Sequence, residues 1–108
     1  MYYFDMNSIP KKQLLEGAML KTVYGEKIML SFVDLEPGVT IPKHSHPHEQ
    51  MGYIISGELA FDIGGEEKIC RAGDTYLIPS GISHSAKVLD DGPAKVLDIF
   101  SPPREEYK

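Results

Sequence analysis

The residues best equipped for chemistry in this chain are its histidines. All four lie in two places: His44, His46 and His48 close together, and His84 far downstream. His44 and His46 are two apart, so on an extended strand both rings project from one face. Two imidazoles so placed can chelate a metal if the fold returns further ligands to them. His84 is the natural return, because it follows Pro79, Ser80 and Gly81, where a turn gives way to a strand. Glu49 and Gln50 add oxygen donors beside the pair. Alternation points Glu49 and Gln50 to opposite faces, and only a bulge there would turn Glu49 to the other side. His48 lies between ligand positions and follows Pro47, which suits a rim or supporting role. A polar loop plus one core histidine is the plainer alternative, and the clustering argues against it.

The elements that must position these residues are short strands. The pattern predicts strands at 18–24, 27–35, 51–56, 59–63, 66–70, 75–78, 83–89 and 94–100. Gly25, Pro37-Gly38, Gly57, Gly64-Gly65, Gly73 and the run Asp90-Asp91-Gly92-Pro93 punctuate them. Residues 9–16 read as a turn of helix, with Ser8 as cap and Gly17 as stop. Many short strands with regular turns imply an all-β sandwich or barrel. Alternation places Leu59, Phe61 and Ile63 on one face, and Val96, Asp98 and Phe100 on one face of the last strand. Asp98 interrupts a strand that is apolar on both sides. Burying an unpaired carboxylate is costly, so Asp98 is expected to face a polar cavity or a partner.

The 108 residues make one domain, 1–108, with an N-terminal arm over 1–16 and a tail over 101–108. A balance of 11 basic against 16 acidic residues gives a net charge of −5. That argues against nucleic acid and against an anionic membrane surface. A small anionic substrate stays open, since a few cations in a pocket override net charge. Cys70 is the lone cysteine, so no intramolecular disulfide forms, and it reads as a small strand residue. No apolar run reaches membrane-spanning length and no signal peptide opens the chain, so the expectation is a cytoplasmic protein. The apolar start, residues 1–4, and the exposed sheet edges expected of such a fold point to a homodimer.

Two motifs, at 38–57 and 73–88, resemble those of the cupins. The first is carried by Gly38, His44, His46, Gln50 and Gly57, and the second by Gly73, Pro79, Gly81 and His84. The resemblance implies a double-stranded β-helix, a jelly-roll barrel. It also implies one divalent metal ion (zinc, nickel, iron, manganese or cobalt) on His44, His46, Gln50 and His84. Two departures stand out: Gln50 replaces the usual glutamate, and Val88 the usual asparagine. A glutamine ligand brings no charge, which leaves the ion's full charge for an anionic substrate. The tail is similar to that of small cupins that linearise unsaturated uronates during pectin and alginate breakdown. Their functional aspartate, phenylalanine and arginine match Asp98, Phe100 and Arg104 by spacing. The likeness implies that Asp98 moves protons, Arg104 pairs with the substrate carboxylate and Phe100 walls the ring. Without it, Arg104 reads as a solvated tail residue, Phe100 as core, Tyr53 and Tyr76 as strand fillers, and Lys11-Lys12 as a solvent-facing pair. The same metal ligands also suit a dioxygenase using iron or manganese. A non-catalytic ligand-binding or sensor cupin is the reading of another class.

Overall fold

A computed structural model describes residues 2–89 and 91–108. Among them ten strands are formed: β1 (Lys12–Leu15), β2 (Ala18–Tyr24), β3 (Met29–Leu35), β4 (Thr40–His44), β5 (Glu49–Ser56), β6 (Glu58–Ile63), β7 (Glu66–Arg71), β8 (Thr75–Ile78), β9 (His84–Val88) and β10 (Ala94–Ser101). They make a six-stranded sheet in the order β1-β2-β3-β10-β5-β8 and a four-stranded sheet in the order β4-β9-β6-β7. Every pairing is antiparallel. The all-β jelly-roll expectation therefore holds. Asp90, in the turn expected at 90–93, lies outside the described residues, as does Met1 of the apolar start.

Period-two patterning drives this arrangement. Along β3, Met29, Ser31, Val33 and Leu35 are buried while the residues between them are half-exposed. Leu20, Val33, Ile54 and Val96 of the larger sheet meet Leu59, Phe61, Ala86 and Val88 of the smaller in one core. Burying a side chain such as Ile54 or Leu59 completely contributes about 1.5–3 kcal/mol. Val88 is one of these core residues and pairs with Leu59, so an apolar side chain suits it better than asparagine.

The helical turn expected at 9–16 is absent; Lys12–Leu15 instead form β1, paired with β2. Gly17 was a genuine signal of a different kind. Its φ of +84° closes a hairpin, a conformation that glycine adopts freely. Leu14 and Leu15 pack against the core, a gain that outweighs weak local propensity. A short 3-10 turn comes earlier, at Met6–Ser8, where Asp5 accepts from the Asn7 backbone N–H at 3.1 Å. The arm thus ends before β1 rather than at residue 16.

The outer face of the six-stranded sheet is also apolar. Met51, Tyr53, Ile55 and Leu77 are exposed there, and Leu97 and Ile99 lie half-buried on the same outward positions. Tyr2, Tyr3 and Phe4 of the arm are exposed as well. No helix among the described residues is long and apolar enough to cross a membrane.

Candidate metal centre

Local backbone features bring the histidines together. The β4–β9 pairing shifts register between Ile41 and His44, around Pro42, which has no N–H to give to a ladder. After that irregularity His44 sits directly opposite His84. The Pro79–Gly81 turn is tied to the histidine loop by the Gly81 N–H, which donates to the His46 carbonyl at 2.9 Å. The ligand atoms of His44, His46 and His84 all lie within 4.8 Å of one another. His46 and His84 are buried and His44 half-buried. His48 stays outside this group; its carbonyl accepts from His46, and its ring stands edge-on to that of His46.

Each ring is oriented by a carbonyl two residues away. Nδ1 lies 2.8 Å from the Pro42 oxygen in His44, 3.0 Å from the His48 oxygen in His46 and 2.8 Å from the Ile82 oxygen in His84. A carbonyl only accepts, so each Nδ1 carries the proton and each Nε2 keeps its lone pair. Nε2 of His84 is buried with no hydrogen-bond partner. Burial holds His46 and His84 below the ordinary histidine range, Arg104 pushing the same way on both. Neutral rings with inward lone pairs are the form a metal ion requires.

Gln50 completes the set. β5 alternates strictly at this end, with Gln50 buried and Glu49 exposed, and its pairing to β10 runs unbroken through both residues. The bulge that would have turned Glu49 inward is absent. Gln50 Oε1 lies 3.0 Å from His46 Nε2, so two lone-pair donors face each other. Either the rotated amide, donating to Nε2, or a third group must relieve this. A cation shared by the two acceptors does relieve it. Together with the orphaned Nε2 of His84, this donor set fits a divalent ion held by His44, His46, Gln50 and His84.

The facing wall comes from the six-stranded sheet and the tail. Asp98, Phe100, Arg104, Tyr76 and Tyr107 line one cavity with His44, Gln50 and His84, a space of about 610 Å³ with its open mouth included. Asp98 points inward from β10 with Val96 and Phe100, as the alternation predicted. Burial raises its pKa to about 6, against the opposing pull of the Tyr76 hydroxyl, Gln50 and Arg104. The Tyr76 hydroxyl donates to Asp98 Oδ1. Phe100 is buried, edge-on to His46 at 5.8 Å between ring centroids. Arg104 is no solvated tail residue: its side chain is only 12% exposed. The guanidinium carbon lies 5.3 Å from the Phe100 ring centre and 4.3 Å from that of Tyr107. Its Nε–H donates to Glu106 at 3.1 Å, which leaves its terminal N–H groups free of that contact.

The contacts of two residues of this wall escaped the sequence reading. Tyr76 does fill the core from its strand, as expected, but its bond to Asp98 had no signal beyond Gly52, a glycine inside a strand that marks something packed close above it. Tyr107 had no signal; a 3-10 turn at Glu105–Tyr107 brings it back over the barrel. There the Lys12 ammonium donates to the carbonyls of Tyr107 and Lys108, and the Thr22 hydroxyl donates to that of Tyr107 at 2.7 Å. Lys12 is therefore a tether, while Lys11 only meets Asp34 at the surface.

A jelly-roll barrel with three histidines converging at one end defines a class. Residues 31–100 match the cupin domain family, and the chain belongs to it. It is 28% identical over 107 residues to the pectin degradation protein KdgF of Dickeya dadantii (strain 3937), covering 97% of this chain and 96% of that protein. The structure of KdgF from Halomonas sp. superposes with a TM-score of 0.90 at 25% identity, over 100% of this chain and 99% of that one. An RmlC-like cupin from Shewanella frigidimarina NCIMB 400 shares the fold, with a TM-score of 0.91 at 22% identity over 100% of this chain and 96% of that one.

Proposed function

We propose that this chain is a metal-dependent enzyme that opens the ring of unsaturated uronates, the sugar acids left when pectin is cleaved by elimination. The observation that carries this is the convergence of Asp98 and Arg104 on the cavity lined by His44 and His84 of the histidine triad. Likeness to a pectin degradation protein along nearly the whole chain supports it. A sensor or binding cupin would have no need of a proton-carrying group there.

The substrate is an enol ether, with its double bond beside the ring oxygen. Opening it adds a proton to the far carbon of that bond and the oxygen of water to the carbon bearing the ring oxygen. The resulting hemiketal collapses by breaking its bond to the ring oxygen, which takes a proton, and a linear keto acid remains. The ring oxygen stays on the anomeric carbon as a hydrated aldehyde, which sheds water. The water added is thus returned, the change is a net isomerisation and no electrons are exchanged. Asp98, with a pKa of about 6, holds a proton part of the time near neutral pH, so it can give one to carbon and recover one from water. The terminal N–H groups of Arg104 offer a planar fork to the substrate carboxylate. Phe100 and Tyr107 hold that guanidinium from two sides, fixing its angle before substrate arrives. A divalent ion on His44, His46, Gln50 and His84 supplies positive charge for the substrate's oxygens.

Incubating the metal-loaded protein with an unsaturated monouronate and following the ultraviolet absorbance of the double bond tests this. Loss faster than in buffer, stopped by a chelator and without oxygen uptake, is expected. Oxygen consumption would favour dioxygenase chemistry, and no loss at full metal occupancy would sink the assignment. A second copy of the chain is the occupant we assign to the outer apolar face, since exposed aliphatic and aromatic residues on a broad sheet favour burial against their like. Sedimentation of the native protein, with Leu77→Lys shifting it to the monomer, checks that assignment.

A further inference from the structure

Tyr76 is an inward polar side chain of the cavity wall that the chemistry above leaves unused. The geometry points to a positioning role: Tyr76, laid over the bare backbone of Gly52, holds one carboxylate oxygen of Asp98 and so fixes which oxygen faces the substrate. The three residues form a row across three strands, Tyr76 pairing with Gly52 on β5 and Gly52 with Asp98 on β10. Two strand spacings separate the outer members, about 10 Å. Only a long side chain lying flat across the middle strand closes that distance. Gly52 makes the passage possible. A Cβ there would come 2.5 Å from Cε1 of Tyr76 and nearer still to Cζ and the hydroxyl oxygen. The backbone does not call for glycine, because Gly52 is not among the glycines with positive φ. Glycine within a strand weakens it, so the bare position is explained by the ring it admits. The other side of the ring packs on Phe61, with centroids 4.4 Å apart. Tyr76 is thus gripped by β5 below and β6 above, with its hydroxyl aimed at one acceptor.

The kinetic consequence rests on the ring-opening assignment; the contact itself does not. Tyr76→Phe keeps the ring between Gly52 and Phe61 and removes the donor. It should leave melting temperature and metal content as in the wild type. Turnover should fall by about 10- to 100-fold, the worth of a hydrogen bond to a charged group, with KM almost unmoved. Gly52→Ala should reproduce the loss by displacing the ring. Proton NMR supplies a readout free of activity: a hydroxyl resonance far downfield, protected from exchange in the wild type and missing from Tyr76→Phe. Unchanged turnover in Tyr76→Phe, or no such resonance in the wild type, would overturn the role. If the wild type is inert towards the uronate yet shows the resonance, the positioning stands and the assigned reaction falls.

Discussion

The two halves of the cavity are held by different means. On the histidine side each ring is fixed by a carbonyl two residues away in sequence, so the ligand orientation is encoded locally by turns and a strand irregularity. On the acid side the carboxylate is held from distant strands, and only the arginine has neighbours close in sequence. Asp98 is held by Tyr76 from β8 and lies against Gln50 of β5, and Arg104 by Phe100 of β10 and by Tyr107 and Glu106 of the tail. One half is set by short segments of backbone; the other exists only when the large sheet and the tail have assembled around it. Gln50 joins them, with its Oε1 3.0 Å from His46 Nε2 and Asp98 in the same cavity wall. Glutamate at this position would set a second carboxylate against Asp98, which gives a physical reason for the glutamine.

The largest break expected between the halves is at the metal. His84→Ala should reduce bound metal to background by elemental analysis, and turnover with it. Asp98→Asn should cut turnover by about 10²- to 10⁴-fold while metal content stays at wild-type level; metal loss in that variant would mean the halves are not separable. Arg104→Lys keeps the charge and loses the fork, so KM should rise by about tenfold with turnover less affected. The smallest effects concern stability against pH, measured by denaturant unfolding of the metal-free protein. Asp98 is raised from 3.8 to about 6, so the folded state holds its proton more tightly, and this contribution is lost as pH rises between those values. His46 and His84 are lowered from 6.5, so their contribution is lost as pH falls below that value. The slopes oppose each other, and Asp98→Asn should abolish only the first.

This contrast also explains what could be read from the chain. The histidine half was legible in its residues but not in its geometry: His44, His46, Gln50 and His84 all turn inward, yet His46 does so from the loop after β4 and not from a strand shared with His44. Alternation was enough to turn Gln50 in and Glu49 out, and to put Asp98 beside Val96 and Phe100. Beyond that the signals weaken. β4 was not foreseen, because Pro42 interrupts its pattern. β1 was taken for helix, because Gly17 ends a helix and closes a hairpin with equal ease. Tyr76 and Lys12 act through contacts that are distant in sequence, and no local pattern encodes a partner so far away.

The tail has one more consequence. After Ser101 no ladder bonds hold it; the Lys12 ammonium, the Thr22 hydroxyl and the stacking of Tyr107 and Arg104 do. Such a segment can detach in a local opening far less costly than global unfolding, and it would take Arg104 with it. Amide exchange at 104–108 should therefore outrun that of β10, and on warming the grip on substrate should fail while the barrel, and the metal within it, is still intact.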